Sequence, residues 1–458
     1  MYASQSYLGS AFSGFLYTEI SSLKKHSPIA PSRLDHGFGI PKRRMEVCSS
    51  TQLSRNYSLF KEEYGKYGEG DINSTCMKEV LIYGSLNKME YYPELAGILN
   101  LFRESVGYSY TAHFVCPNKC AIGLRVGMEK EHFVNKDVVL FGMLPKNFVG
   151  QLDFLSTIKP TQGQTWIYYS TETPLRVLRW VQDMKLKDIR YHKLMTYHMD
   201  SEMPRPFGYF VENHNSNVTD ELPNFAKNKT RLIAWMASNC EEIFWSRSML
   251  VEHLMEHVHI DIYGRCGGFS LRCMPRDSDK CNWMLSKYKF YLALANSECR
   301  HYITEKTWRT ALQHNIVPII YGAPKVDIER FAPPNSYIHI SDFPSIAELA
   351  NYLQILDKND TLYNKFFEWK LKGRVVSNFP PRPSIFCDML SNSAPDPIAT
   401  QESKKPCLKG PSLKSLGTSS WWRTCRYDVD MTTAVYTKNP KLAVQYKKWK
   451  PWNVTDFR

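Results

Sequence analysis

The sequence lacks any apolar run of membrane-spanning length. Its most apolar early stretch, Ala11 to Ile20, is short, holds polar residues and is followed by Lys24 and Lys25. A bilayer-crossing helix needs about 20 apolar residues, and a secretory signal needs a basic start before an apolar core, so neither is expected here. Membrane association is therefore expected only through an anchor outside this chain. Gly-x-Gly-x-x-Gly, phosphate-loop and Gly-x-Ser-x-Gly motifs are also missing. The usual signatures of dinucleotide folds, phosphate-loop NTPases and serine hydrolases are thus excluded. Acidic residues are in deficit: 58 Lys and Arg face 45 Asp and Glu, a net charge of +13. That balance favours anionic partners such as nucleotides, acidic glycans or nucleic acid. The basic residues are spread out, without an RNA-binding sheet motif or zinc-finger repeat, so nucleic acid is not an expected partner. His253, His257 and His259 have no carboxylate shell around them, and no metal site is expected.

What is present is the composition of a soluble globular protein: 43% hydrophobic and 22% charged residues in 458. That length calls for two or three domains. There are twelve cysteines, too many for a reducing compartment, and six Asn-x-Ser/Thr triplets beginning at Asn56, Asn73, Asn217, Asn228, Asn359 and Asn453. Together they point to an oxidising, glycosylating compartment. The spacing of Cys116 and Cys120, and of Cys266, Cys273 and Cys281, does not form paired zinc knuckles. Which cysteines pair is left open.

Residues 1–75, rich in Ser, Tyr, Gly and Lys without a sustained period, read as a largely irregular stem. A first α/β domain is expected over 76–215, with strands at Glu79–Tyr83, Asp137–Phe141 and Thr165–Tyr169 and helices at Leu95–Glu104 and Leu175–Asp183. A second follows over 216–373, with strands at Leu232–Ala237, Val258–Tyr263, Phe290–Leu294 and Ile316–Tyr321. Asn239 is expected to cap a helix that runs to about His257, and Ser345 with Glu348 to cap another. Short strands alternating with longer helical segments predict parallel sheets, hence two facing units with strand C-termini lining a cleft. Residues 374–458 read as a Pro- and Ser-rich linker and a cysteine-containing extension.

Several stretches have the residue types that chemistry in such a cleft needs. Tyr302-Ile303-Thr304-Glu305-Lys306 opens a helix, whose free amides and partial positive charge suit an anion. Thr304 caps that helix or binds the anion, Lys306 meets a diphosphate, and Glu305 accepts sugar hydroxyls; the alternative is a capped surface helix with a solvated Glu-Lys pair. Arg247 either grips a pyrophosphate through two parallel hydrogen bonds or faces solvent. Asn296 follows a strand, in a cleft or a turn. Glu172 sits just beyond Thr165–Tyr169 and before Pro174, which restricts Thr173 to extended backbone and fixes the loop. There it is a general base for a hydroxyl proton or an ordinary loop glutamate. Tyr197 and His198, with Asp200 and Ser201, make a polar cluster before Pro204 and Pro206, suited to a binding loop or a surface turn.

The ordered blocks YKFYLALANS (288–297), YITEK (302–306) and VPIIYGAP (317–324) closely resemble the signature of the α1,3/4-fucosyltransferases, glycosyltransferase family 10. AWMASNC (234–240), HIDIYGRCG (259–267), FAPPNSYIHISDF (331–343), DVVLF (137–141), TETP (171–174) and MTYHMDSEMP (195–204) support it. The resemblance spans roughly 78–372. It implies a GT-B fold of two facing Rossmann-like domains, a GDP-fucose donor, inversion at the fucose carbon and no obligatory metal. It further implies Glu172 as acceptor-side base, and Arg247, Tyr302, Thr304, Glu305, Lys306 and Asn296 around the donor, with Tyr197 and His198 near it. The C-terminal extension is closer to the longer members acting on N-glycan cores or glycoproteins. The implied acceptor is GlcNAc of an N-glycan or glycoprotein and the implied location the Golgi lumen, with the endoplasmic reticulum lumen or secretion as alternatives. Departures from the family pattern are Leu294-Ala295 for Phe-Glu, Thr-Glu-Thr-Pro for Glu-Ser-Pro, and Tyr197-His198-Met199-Asp200-Ser201-Glu202 for Tyr-Arg-x-Asp-Ser-Asp. Competing readings are transfer to a protein hydroxyl, and a catalytically weakened glycan- or protein-binding module.

Overall fold

The computed structural model describes residues 76–116, 120–213, 221–240, 244–245, 247–268, 273, 278–391 and 412–426. The expected stem over 1–75 and the segments 392–411 and 427–458 lie outside the described residues.

The front half is built on β1 (Met77–Tyr83), β2 (Thr111–Val115), β3 (Ala121–Gly127), β4 (Val138–Phe141), β5 (Thr165–Ser170), β6 (Arg190–Tyr191), β7 (Lys193–Thr196) and β8 (Gly208–Glu212). Six of these form one sheet in the order β2-β3-β1-β4-β5-β7. Only β2 runs antiparallel to its neighbour. In the middle, β4 reads Val-Val-Leu-Phe and is buried along its whole length, the pattern of a parallel strand covered on both faces. Where β4 ends, the chain turns through Gly142 at a φ of +83°, and a Cβ there would lie 2.3 Å from the Tyr169 carbonyl oxygen. Only glycine fits that turn.

The rear half holds β9 (Arg231–Met236), β10 (Ile260–Tyr263), β11 (Tyr288–Leu294), β12 (Val317–Tyr321) and β13 (Ile338–His339). They form an all-parallel sheet ordered β10-β9-β11-β12-β13. The order reverses direction between β9 and β11, and the crevice beyond that reversal is where open α/β sheets take ligands.

Among the helices, α1 (Ala96–Val106) and α2 (Pro174–Val181) belong to the front half, α3 (Arg247–Met255) and α4 (Ile346–Asp357) to the rear, and α5 (Ser384–Ser391) follows. Leu349, Leu353 and Leu356 of α4 are buried in the rear core, and the Ser345 hydroxyl accepts from the Glu348 N–H at 3.2 Å. α3 departs from expectation: it starts at Arg247, not at Asn239. The element expected near Thr304 is a π-helical turn over Lys306–Ala311, closed by Leu312–His314 and by Asn315 at a φ of +58°.

The chain then returns to the front. β14 (Gly373–Ser377) pairs antiparallel with β8, and β15 (Lys414–Ser415) pairs antiparallel with β6. Phe386 and Met389 of α5 lie in the core of the front half, and Cys387 is bonded to Cys116. Parts of the region expected as linker and appendage are thus built into the body. The other disulfides are Cys76–Cys120, Cys240–Cys266, Cys273–Cys281 and Cys299–Cys425. Cys48 and Cys407 lie outside the described residues.

Candidate active site

The C-terminal ends of β5, β9, β10 and β11 converge on a cavity of about 580 Å³, within the range of small-molecule sites. Glu172, Arg247, Asn296, Tyr302, Glu305 and Lys306 all line it.

Local sequence explains the placement of Glu172. Thr173 is extended, as a residue before proline must be, and its side chain accepts from the Arg176 N–H, so Thr173 caps α2 with Pro174 in the first turn. Glu172 is therefore fixed one residue outside a capped helix. The Ser170 hydroxyl tightens the turn, accepting from the Glu172 N–H at 3.1 Å and donating to its carbonyl at 2.9 Å. The half-buried carboxylate meets the rear half through one oxygen. Oε2 accepts from the Tyr302 hydroxyl at 2.9 Å and from Asn296 Nδ2 at 3.3 Å. Burial, and then the Glu172 charge, push the Tyr302 phenol well above its ordinary pKa, so it stays a neutral donor.

Arg247, the first residue of α3, is 3% exposed. Its guanidinium donates to the Leu294 carbonyl at 3.1 Å and to the Asn239 carbonyl, and lies 5.8 Å from the Trp235 ring centroid. Burial pulls its pKa down to about 10, which leaves it charged at neutral pH. Its Nε has no hydrogen-bond partner among the described residues. Lys306 Nζ pairs with Glu305 Oε1 at 2.8 Å on the same wall. The cavity thus has a carboxylate held from the front half and two cations on the rear wall.

Three expected site residues do not line this cavity. Tyr197 is fully buried beneath it, its ring 4.7 Å from that of Tyr302. Thr304 is buried at the foot of the π-helical turn, where its carbonyl accepts from the Thr307 N–H. His198 faces away from the cavity and packs on His301 with ring centroids 4.3 Å apart. Its pKa is lowered to about 4, by burial first and then by His301. The reason is the path of the chain: beyond Thr196, where β7 ends, it turns under Tyr302 toward the 301 loop. Ala295 is also buried off the cavity wall, its carbonyl accepting from the Trp245 indole at 2.8 Å.

Residues that sequence reasoning left out include Glu94, Arg176, Ser238 and Asn239, all on the cavity wall. Arg176 carried a readable signal: it stands on the first turn of the helix that Thr173 and Pro174 start beside Glu172. Asn239, expected as a helix cap, lines the cavity and gives its carbonyl to Arg247.

Residues 226–403 match the family described as glycosyltransferase family 10 (fucosyltransferase) C-term. This segment resembles a family 10 fucosyltransferase domain. The chain is 37% identical over 219 residues to glycoprotein 3-alpha-L-fucosyltransferase A of Drosophila melanogaster, covering 47% of this chain and 42% of that protein. It is 37% identical over 213 residues to a 4-galactosyl-N-acetylglucosaminide 3-alpha-L-fucosyltransferase of Homo sapiens, covering 46% and 55%. The matched region spans about half the length of these curated relatives. A solved structure of an alpha1,3-fucosyltransferase with GDP-fucose aligns at a TM-score of 0.42 and 13% identity, over 73% of this chain and 96% of that one. The segment that matches family 10 contributes the rear wall of the cavity, with Arg247, Asn296, Tyr302, Glu305 and Lys306.

Proposed function

We propose that this protein is an inverting α1,3-fucosyltransferase that moves L-fucose from GDP-fucose to GlcNAc of an N-glycan or glycoprotein. The observation carrying this reading is the Glu172 carboxylate, presented by the front half and held by Tyr302 and Asn296 at the mouth of a cavity that also contains Arg247 and Lys306.

In this mechanism the acceptor hydroxyl attacks the fucose carbon as the bond to the diphosphate breaks, and GDP leaves with the charge. Arg247 is suited to that charge because its Nε is buried and unspent, and Lys306 adds a second cation. Such preset charges stabilise a leaving group without reorganisation at the moment of reaction. Glu172 takes the hydroxyl proton through Oε1. Its Oε2 is occupied by Tyr302 and Asn296, whereas Oε1 has no partner among the described residues. A single in-line displacement results, with no covalent fucosyl-enzyme. No resident metal enters these steps. The five disulfides, with exposed Asn228 and Asn359 in glycosylation triplets, support the Golgi lumen as its location.

The test is transfer of labelled fucose from GDP-fucose to N-glycans, fucose-free glycoproteins and folded protein domains, with the linkage read by mass spectrometry. Product on GlcNAc in α1,3 linkage is expected. Folded protein that binds GDP yet labels none of them would overturn the reading.

A further inference from the structure

Residues 412–426 cross from one half of the molecule to the other, passing directly behind Glu172. On the front half, Lys414 and Ser415 pair with Tyr191 and Arg190, and the Leu416 N–H donates to the Ile189 carbonyl at 2.9 Å. Lys414 also forms an ion pair with Glu202, whose other carboxylate oxygen accepts from the Leu194 N–H on β7 at 2.9 Å. On the rear half, Cys425 is bonded to Cys299. The flanking bonds run both ways: Arg300 N–H to the Thr424 carbonyl at 2.8 Å, Thr424 hydroxyl to the Arg300 carbonyl at 3.0 Å, and Arg426 N–H to the Glu298 carbonyl at 2.9 Å. Between these anchors Trp421 is fully buried, its ring centroid 5.1 Å from that of Tyr168 on β5. Its indole Nε1–H donates to the main-chain carbonyl of Glu172 at 2.9 Å.

A surface extension would have no reason to aim a buried indole at that one carbonyl. We infer that residues 412–426 form a strap that positions the Glu172 carboxylate for proton removal, with Trp421 as the positioning residue. The inference rests on the fucosyl transfer proposed above. From its front side, Glu172 is held by Tyr302 and Asn296 through Oε2; from behind, it is held by Trp421 and Ser170 through its carbonyl. The strap's rear anchor at Cys299 lies two residues from Ser297, whose hydroxyl meets that of Thr173 at 3.0 Å. The segment therefore ties the Glu172 loop to the same rear-half stretch that supplies Asn296 and Tyr302.

The test compares Trp421→Phe, which keeps an aromatic ring but removes the indole donor, with the wild type as full-length chains. Three readouts are taken: steady-state transfer, GDP affinity by calorimetry, and amide hydrogen exchange over 170–176 with GDP bound. The account expects kcat to fall about tenfold or more, because a misplaced catalytic group is costly, while donor KM and GDP affinity stay within about twofold. Exchange over 170–176 should rise several-fold while that of β11 stays unchanged. Wild-type kcat, or equal losses of kcat and GDP affinity with faster exchange in both sheets, would overturn the positioning role. If the phenylalanine variant does not fold, the Cys299→Ser/Cys425→Ser pair replaces it with the same readouts and the same expectations. A wild type that transfers to no acceptor would sink the proposed function instead. The exchange comparison then still decides the strap, since unchanged exchange over 170–176 shows that Trp421 does not hold this loop.

Discussion

The Tyr302 hydroxyl, carried by the rear half, donates to Glu172 Oε2, carried by the front half, across 2.9 Å. Asn296 Nδ2 reaches the same oxygen at 3.3 Å. Two elements far apart in sequence thereby hold one edge of a carboxylate and leave the other edge to the cavity. A carboxylate held this way is oriented before any substrate arrives, and for a general base orientation is worth more to a displacement than added basicity.

Tyr302→Phe removes that donor with little change of volume in a fully buried site. Turnover is expected to fall about tenfold, from the loss of one hydrogen bond to a charged group, with GDP affinity within about twofold of wild type. Steady-state kinetics alongside GDP calorimetry reads both quantities.

Lys306→Met separates donor binding from chemistry. Among the described residues Lys306 pairs with Glu305 alone, so its removal should leave unfolding stability within about 1 kcal/mol. GDP affinity should weaken about tenfold or more, the worth of one charge-assisted hydrogen bond to a phosphate. Unchanged affinity would remove Lys306 from the donor site.

Acid sensitivity is expected from His198. Its folded pKa, lowered to about 4 by burial and by His301, lies below that of an unfolded histidine, so the unfolded chain binds more protons between about pH 4 and 6.5. Stability is full above that window and is lost as pH falls through it, by about 2 kcal/mol at pH 5. The charges around the ring are Asp200, Asp327 and Arg300, and Arg300 is already bound to Asp327. His198→Phe should flatten the fall in urea midpoint between pH 7 and pH 5. A slope identical to wild type would place the acid sensitivity elsewhere.

Cys116–Cys387 joins β2's end to α5 across a sequence separation of 271 residues. Replacing both cysteines by serine should cost about 2–5 kcal/mol, with the front half loosening first, because α5 carries Phe386 and Met389 into its core. Thermal unfolding with hydrogen exchange of 384–391 measures it.

The sequence made the parallel strands legible because runs such as Val138–Phe141 and Phe290–Leu294 are continuous and apolar, which only burial on both faces rewards. It hid β3, whose Ala-Ile-Gly-Leu-Arg-Val-Gly reads as broken by glycine. In the fold those glycines make room: a Cβ at Gly123 would meet Glu79, and one at Gly127 would meet His132. Glu172, Asn296, Tyr302, Glu305 and Lys306 drew attention near strand ends or an expected helix start, and Arg247 as a cation on the helix expected from Asn239; the local pattern left each a surface alternative, and the family resemblance grouped them. Tyr197 and His198 misled because a polar cluster before prolines looks the same whether it lines a cleft or packs beneath one. Trp421 gave no local signal at all. Its partner carbonyl is 249 residues away, and only the folded chain brings them together.

The most direct measurement is Glu172→Gln, assayed for GDP binding by calorimetry and for fucosyl transfer in the same preparation. The account predicts GDP affinity within about twofold of wild type and turnover lowered about 10²-fold or more, the usual contribution of a positioned general base. Glutamine that turns over as fast as glutamate, or that loses nucleotide and turnover together, would contradict it.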